Sequence, residues 1–263
     1  MESMKPILVV SFILLLGACS GADDVALEPA SVPNTELGTY VPRRGMGHFI
    51  QQFNGFTTVE QRVAQHGYRA RERLKPYFVR AGVAYPPKSI VLVGLKKERR
   101  LEVYAGNDRN NLKFIRSYSV LGASGSLGPK LREGDRQVPE GVYRIDAMNP
   151  NSRYHLSLRV NYPNAFDRRM ASIDGRSELG GDIFIHGKAI SAGCLAMGDW
   201  VAEELFVMVA DNTTNDVRVI LSPVDLRASE LPRLASGAPA WTRGLYRQIK
   251  YELSRLSKPQ AKT

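Results

Sequence analysis

Between residues 89 and 222 the sequence is a succession of short apolar runs separated by turn residues, and this pattern restricts the fold most strongly. Ile90–Val93 and Leu101–Tyr104 flank the charged segment Lys96–Arg100, which predicts a β-hairpin. Later runs of the same kind are Phe114–Leu121, Gly141–Ile145, Tyr154–Val160, Asp182–His186 and Val217–Leu221. Loops rich in glycine and proline separate them. We therefore expect a mainly β domain, a sandwich or barrel of mostly antiparallel strands.

Helices are expected on both sides of this domain and within it. Thr57 as N-cap and Glu60 three residues later form a capping-box pattern, and Gly82 is a natural stop for a helix ending near Ala81. Its predicted buried face is Val59, Val63, His66, Ala70, Leu74 and Phe78. A second helix is predicted over Trp200–Ala210, with Asp199 as N-cap. A basic amphipathic helix is predicted over Pro239–Lys258.

The first twenty residues indicate export. Lys5 precedes the apolar run Ile7–Leu16, which is too short to remain as a membrane-spanning helix. Small residues then lead to Cys19, and this arrangement resembles the lipobox of bacterial lipoproteins. The resemblance implies a lipid on Cys19, anchoring on the periplasmic side of the envelope, and, from Ser20, the outer rather than the inner membrane. The alternative is an ordinary secretory signal.

These patterns divide the chain into five parts. Residues 1–18 are predicted to be a signal peptide, and 19–47 a lipidated N-terminus with a flexible tether. Residues 48–88 are predicted to form a helical extension, 89–222 the β domain, and 223–263 a basic helix with a tail.

Cysteine use points to one residue. The chain has two cysteines, Cys19 and Cys194, so lipid on the first leaves the second unpaired. A free thiol in an oxidising compartment is prone to wrong disulfides, so its retention suggests that its chemistry is used. The alternative is an inert cysteine in the core.

The segment around Cys194 has the composition of a nucleophilic site. An apolar strand delivers His186 to its end, and a turn of seven residues then returns the chain to Cys194, with Gly187 and Gly193 beside the two. An imidazole activates a thiol by taking its proton or by forming an ion pair with it. The backbone N–H groups of Ala192, Gly193 and Cys194 are candidate donors to the oxyanion of a tetrahedral intermediate.

His186-Gly187 followed by Ser191-Ala192-Gly193-Cys194 resembles the signature of the L,D-transpeptidase (YkuD-type) catalytic domain family. The resemblance covers residues 89–222, including the blocks Ser124–Gly141 and Asn149–Asn164. It implies a β-rich fold in which Cys194 attacks a peptidoglycan stem peptide and His186 is the general base. Ser191 and Gly193 match the family's small residues beside the nucleophile. The acyl group is then passed to an amine.

Three departures from the commoner family pattern leave the acceptor open. The stretch between the catalytic residues is shorter, Ala192 replaces a second histidine, and Ala196 replaces an arginine before the methionine. The shortened form belongs to a branch that includes an amidase, which releases a lipoprotein covalently attached to peptidoglycan. The resemblance thus implies stem peptides as partners, with a peptidoglycan-linked lipoprotein as a further candidate. The acceptor is an amine or water.

Other candidate residues have weaker patterns. Lys130, Arg132 and Arg136 lie in glycine-rich loops and are candidates for binding a substrate carboxylate, the alternative being a solvated basic loop. His155 is a candidate partner of the site or a partly buried strand histidine, and Asp199 follows the motif. His48 and His66 show no ligand spacing, so no metal and no cofactor is expected.

The net charge of +10 favours an anionic partner. Because the basic residues are spread along the chain and no nucleic-acid-binding motif is present, an anionic envelope is favoured over nucleic acid. A non-catalytic lipoprotein that binds peptidoglycan is the alternative from another class.

Overall fold

The computed structural model describes residues 57–257, all of which fall within the compact unit Tyr40–Thr263. The predicted signal peptide, Cys19, the tether and the last six residues lie outside the described residues. Within residues 57–257, none of the helices combines the length and apolar character needed to cross a bilayer.

Eight strands and four helices build the described part of the chain. The helices are α1 (Val59–Ala81), α2 (Ala165–Ile173), α3 (Asp199–Asp211) and α4 (Thr242–Ser254). The strands are β1 (Ser89–Leu95), β2 (Arg100–Gly106), β3 (Lys113–Ser119), β4 (Gly141–Ser152), β5 (His155–Val160), β6 (Phe184–His186), β7 (Leu195–Ala196) and β8 (Asp216–Ser222).

The strands form one sheet in the order β3-β2-β1-β8-β4-β5-β6-β7. The pairs β1–β8 and β6–β7 are parallel, and the other neighbouring pairs are antiparallel. The predicted mainly β class with flanking helices is therefore confirmed, as is the hairpin of β1 and β2. The two-residue strand β7 was not predicted, because so short a run has no periodicity of its own.

The sheet is covered on both faces, and β1 shows how. Ile90 and Leu92 point into one hydrophobic core, to which α1 and α3 contribute. Val91 and Val93 point into a second core, which α4 closes from the other side. Alternate residues of a strand face opposite sides, so a strand buried on both faces is apolar throughout. The two flanking helices thus cover opposite faces of the sheet.

The N-cap of helix α1 lies one residue later than predicted. Thr58, not Thr57, is the N-cap, and its capping box is completed by Gln61 rather than Glu60. The predicted stop is confirmed, because Gly82 adopts the left-handed conformation with φ of 63°. The buried face was predicted correctly except at one position: Gly67 is buried, whereas His66 is only partly buried. A Cβ on Gly67 would meet the Arg71 guanidinium of the same helix at 2.7 Å.

Three further helices differ from the predictions. Helix α2 was not predicted, although Asn164 is its N-cap and forms a capping box with Asp167. Helix α3 is capped by Gly198 without a side-chain hydrogen bond, because the Asp199 carboxylate instead binds Lys188. Helix α4 is shorter than Pro239–Lys258, and its arginines Arg243 and Arg247 lie on the exposed face.

Ion pairs join α1 to α3. The buried Glu204 carboxylate accepts hydrogen bonds from Arg73 at 2.6 Å, from Arg116 at 3.0 Å and from the Tyr118 hydroxyl at 2.6 Å. The Asp211 carboxylate accepts hydrogen bonds from the Arg71 guanidinium and from the Tyr85 hydroxyl. Buried carboxylates with this many donors are satisfied, so they specify where α1 docks.

Candidate functional site

The pairing of β6 with β7 brings His186 and Cys194 into one region. His186 is the last residue of β6 and lies opposite Ala196 in the parallel pair. Cys194 directly precedes β7, two residues before that position, a separation of about 7 Å along a strand. The hydrogen bond from the Met197 N–H to the His186 carbonyl continues the same contact. Two residues that are eight positions apart in the sequence therefore become diagonal neighbours on adjacent chain segments.

The His186 ring is held in one orientation. The side chain is buried, and Nδ1 lies 2.6 Å from the Gly187 carbonyl oxygen. A carbonyl only accepts, so Nδ1 carries the proton and Nε2 keeps a lone pair in the neutral ring. The Tyr154 ring packs against the imidazole, with the centroids 4.5 Å apart. Burial lowers the pKa of His186 below its ordinary value, and the hydrogen bond to Gly187 opposes this only in part.

The Cys194 thiol is partly buried and free. Its Sγ accepts a hydrogen bond from the Phe184 N–H at 3.4 Å and lies 3.5 Å from the Asp182 carbonyl oxygen. Burial raises the pKa of the thiol above its ordinary value, while the Phe184 N–H acts in the opposite direction. The cation of Lys130 lowers the pKa of the thiol less than burial raises it.

Both pKa shifts favour a neutral pair at rest. A raised thiol pKa and a lowered imidazole pKa disfavour the thiolate–imidazolium ion pair. Of the two modes of activation expected from the sequence, the arrangement fits general-base removal of the proton during attack.

Two serine hydroxyls brace the turn before the thiol. The Ser191 hydroxyl accepts from the Cys194 N–H at 2.9 Å and donates to the Cys194 carbonyl at 2.6 Å. The Ser124 hydroxyl accepts from the Gly193 N–H and donates to the Arg136 carbonyl, both at 2.6 Å. Two of the three N–H groups expected as oxyanion donors thus bind hydroxyls in this structure. Gly193 has φ of 100°, a conformation that glycine adopts without strain.

Gly187 is needed because the backbone is crowded there. A Cβ on this residue would lie 2.6 Å from both the Asp199 Oδ1 atom and the Tyr154 carbonyl oxygen, and 3.0 Å from the His155 Cβ. The next residue, Lys188, binds Asp199 through its backbone N–H and its ammonium group, both at 2.8 Å. These contacts lower the pKa of Asp199 against its desolvation. Asp199 therefore fixes the start of the turn that carries His186.

The commoner family pattern has an arginine where this chain has Ala196, and the packing around Ala196 explains the difference. It is fully buried and exchanges backbone hydrogen bonds with Gly122. A Cβ added at Gly122 would lie 3.2 Å from that of Ala196. An arginine side chain at position 196 has no room in this packing.

The predicted loop cations differ in their surroundings. Lys130 is buried, and its ammonium binds Asp135 at 2.6 Å and the Arg132 carbonyl at 2.8 Å. The side chains of Arg132 and Arg136 are exposed, while the Arg136 backbone contacts the Gly193 turn. Lys130 therefore compensates a neighbouring carboxylate, and its charge is not free for a substrate.

Two depressions adjoin the pair. An open groove on the imidazole side, of about 1050 Å³, is lined by Tyr154, Ile190, Trp200 and Leu121, all largely exposed apolar side chains. A polar cavity of about 790 Å³ is lined by the arginines Arg144, Arg159 and Arg168, and by Asp182, whose carbonyl contacts the sulfur. Sequence reasoning did not assign these residues to the site, because most of them lie outside the motif and none shares a regular spacing with it.

A histidine pair also comes together behind the site. His155 and His66 both contact one oxygen of Glu203, at 3.2 and 3.1 Å. His155 is the first residue of β5, as its predicted place in a strand implied. Its two neighbours come from α1 and α3, so no local sequence signal connects the three.

Comparisons with known proteins agree with the motif. The model of the L,D-transpeptidase catalytic domain (YkuD) matches residues 88–224, just over half of the chain. YafK of Escherichia coli (strain K12), named as a candidate L,D-transpeptidase, is 35% identical over 116 residues, which are 43% of this chain and 44% of that protein. The chain thus matches less than half the length of this relative.

Solved structures of low identity are also similar. The helical cell shape determining protein Pgp2 from Campylobacter jejuni is 20% identical, with a TM-score of 0.42 over 61% of this chain and 57% of that one. L,D-transpeptidase 1 from Mycobacterium tuberculosis is 14% identical, with a TM-score of 0.29 over 51% and 62%. The family assignment depends on the sequence match, and on that basis this chain belongs to the L,D-transpeptidase catalytic domain family.

Proposed function

We propose that the chain is a cysteine acyl-transfer enzyme that acts on peptidoglycan stem peptides through a thioester on Cys194. The observation that carries the proposal is the pairing of β6 with β7, which makes a base with one free nitrogen lone pair and a partly buried thiol diagonal neighbours on adjacent chain segments. Family membership supports a peptidoglycan-related substrate.

The chemistry follows from the neutral resting pair. As Sγ attacks the peptide carbonyl, the thiol proton moves to Nε2 of His186, and the Gly187 carbonyl retains the proton on Nδ1. The tetrahedral intermediate then expels the amine, which takes the proton from the imidazolium and leaves the acyl group on sulfur. An amine or water attacks the thioester with His186 again as base. The free thiol and the neutral imidazole are thereby restored.

The two depressions support different parts of a substrate. Stem peptides carry carboxylates, and the arginine-lined cavity on the sulfur side offers guanidinium groups that bind them. The apolar groove on the imidazole side offers aromatic faces to the chain that leaves or arrives there. Among the exposed arginines of that cavity, we assign Arg144 to a substrate carboxylate.

This chemistry leaves two acceptors for the acyl group, an amine or water. Transfer to an amine gives a cross-link or exchange product, whereas transfer to water gives a shortened peptide or releases a lipoprotein. The amidase alternative rests on the short turn between His186 and Cys194 and on Ala192 and Ala196. Ala196 supports it structurally, because its packing excludes the arginine of the commoner pattern.

Localisation belongs to the proposal as well. The lipobox-like segment ending at Cys19 supports an exported protein held at the periplasmic side of the outer membrane. Mass spectrometry of the N-terminal peptide tests this: we expect a diacylglyceryl group on Cys19, absent in a Cys19→Ala variant. An unmodified Cys19 contradicts the anchor without affecting the catalytic proposal.

The test of function is incubation of purified sacculi with the protein, followed by mass spectrometry of the released muropeptides. Sacculi with and without attached lipoprotein distinguish the two substrates. The products, a cross-link or exchange product against a shortened peptide, distinguish transfer to an amine from transfer to water. We expect altered muropeptides with the native protein and none with Cys194→Ala. Arg169→Gln, which changes an exposed arginine of α2, is the matched control and should act like the native protein. Unchanged turnover in Cys194→Ala contradicts the proposal.

A further inference from the structure

The histidine pair behind the catalytic turn has the composition of a metal site. His66 lies in α1, His155 begins β5, and Glu203 lies in α3. One ligand atom from each lies within 4.8 Å of the others. All three side chains are largely buried, with 13–21% of their surface exposed. The three residues converge from separate elements on one enclosed point.

Hydrogen bonding alone leaves this cluster incompletely satisfied. The Glu203 Oε1 atom is shared by His66 Nδ1 at 3.1 Å and His155 Nε2 at 3.2 Å. The second ring nitrogen of His66, Nε2, is buried, and no described residue pairs with it. The two rings meet edge to face with centroids 5.2 Å apart. This atom requires a partner of its own, such as a water, because a cation held by Nδ1 on the other side of the ring would not reach it.

The spacing fits a tetrahedral cation. Zinc binds imidazole nitrogen and carboxylate oxygen at about 2.0–2.2 Å, which places two ligands of a tetrahedron about 3.3 Å apart. The two observed nitrogen–oxygen separations, 3.1 and 3.2 Å, are close to this value. Two imidazoles and one carboxylate are also a donor set that zinc uses, with a fourth position left for water.

We propose that His66, His155 and Glu203 form a zinc site that fastens α1 to the catalytic sheet. This inference does not depend on the proposed acyl-transfer function.

Neighbouring charges are compatible with this site. Arg73 binds the other carboxylate oxygen of Glu203, Oε2, at 3.0 Å, which leaves Oε1 directed at the histidines. Arg62 is engaged by the Pro150 carbonyl and by Gln65. Burial lowers the pKa of His66 most, against the Glu203 carboxylate, which raises it, and the two arginines lower it less than burial does.

The position of the cluster connects it to the catalytic turn. His155 follows Tyr154, whose ring packs on His186. The His155 Cβ also lies 3.0 Å from the place where a Cβ of Gly187 would be. A cation on His155 would therefore steady the segment against which His186 is packed, while α1 is held to the same point by His66.

The experiment is a zinc titration of the metal-free full chain by calorimetry, with metal content measured by elemental mass spectrometry. We expect one zinc per chain and a melting temperature that rises with free zinc. His66→Gln, His155→Gln and Glu203→Gln should each weaken binding by at least about tenfold. Glu72→Gln, an exposed carboxylate of the same helix α1, is the matched control and should bind as the native protein does.

The Cys194 thiol is a competing zinc ligand, and the variant Cys194→Ser distinguishes binding at the thiol from binding at the histidine site. Unchanged binding in this variant supports the histidine site, whereas its loss assigns the zinc to the catalytic pair and overturns the proposal. If the histidine variants do not fold, the absorption spectrum of the cobalt-substituted native chain distinguishes the two sites. Ligand-field bands without a thiolate-to-cobalt band support the site. No stoichiometric binding, or a thiolate band, overturns it.

Discussion

The hydroxyl of Ser191 bonds both backbone groups of Cys194, accepting from the N–H at 2.9 Å and donating to the carbonyl at 2.6 Å. This double contact closes the turn that carries the thiol, and a second hydroxyl, Ser124, holds the adjacent Gly193 N–H. The nucleophile is thus positioned by its backbone, since its sulfur has only the Phe184 N–H and the Asp182 carbonyl as hydrogen-bond partners in the described chain.

Ser191→Ala should loosen that turn. Removing the hydroxyl leaves two backbone groups of Cys194 without their partner, so we expect the free energy of unfolding to fall by about 1 kcal/mol and turnover to fall with it. Urea unfolding and muropeptide turnover measure the two effects. Ser191→Thr keeps the hydroxyl and should restore most of both, and equal activity in the alanine variant would show that the bracing is unnecessary.

The pH profile should report a neutral pair. Burial lowers the pKa of His186 below 6.5, so the base is protonated, and activity lost, only as the pH falls below that value. Burial raises the pKa of Cys194 above 9.0, so alkylation of the thiol by iodoacetamide should accelerate only as the pH rises past 9. Rapid alkylation near pH 6 would instead indicate a thiolate–imidazolium ion pair.

Gly187→Ala should disturb the catalytic turn. The new methyl group would meet the Tyr154 carbonyl and the Asp199 carboxylate at 2.6 Å, so we expect a loss of about 1–3 kcal/mol of stability and reduced turnover. Thermal unfolding measures the first effect. Gly244→Ala, in α4 with no atom within 4 Å of the added Cβ, is the control and should be neutral or stabilising. Equal stability of the two variants would contradict the crowding argument.

Arg144→Gln should weaken substrate binding without slowing the chemical step. The guanidinium lines the polar cavity on the sulfur side, and the loss of one charge-assisted contact to a carboxylate raises KM by about tenfold, with kcat little changed. Steady-state kinetics on a soluble stem peptide separate the two constants. Arg169→Gln, which changes an exposed arginine outside the cavity, is the comparison. A fall in kcat alone contradicts this assignment.

Glu204→Gln should detach α1 from α3. The buried carboxylate binds Arg73, Arg116 and Tyr118, and its neutralisation removes the counter-charge of Arg116 and leaves Arg73 paired with Glu203 alone. We expect the free energy of unfolding to fall by about 3 kcal/mol. Denaturant unfolding measures it, with the exposed Glu72→Gln as control, and a difference below about 0.5 kcal/mol would contradict the role given to Glu204.

Local patterns predicted the types of element and the motif. The hairpin of β1 and β2 follows from two apolar runs around a charged turn, and the end of α1 follows from Gly82. His186, Cys194 and their glycines are recognisable because they lie within nine residues of each other. Such features depend on periodicity, capping and turn chemistry, which act over a few residues. The missed helix α2 also had a local signal, the capping box of Asn164 and Asp167.

Long-range packing decided the rest. The parallel pairing of β6 with β7 and the meeting of His66 with His155 and Glu203 join residues whose contact no spacing predicts. The sequence by itself determined which chemical groups are present and which segments are strands or helices. Only the tertiary structure decided which groups meet, because strand register and helix docking are fixed by how buried faces fit together.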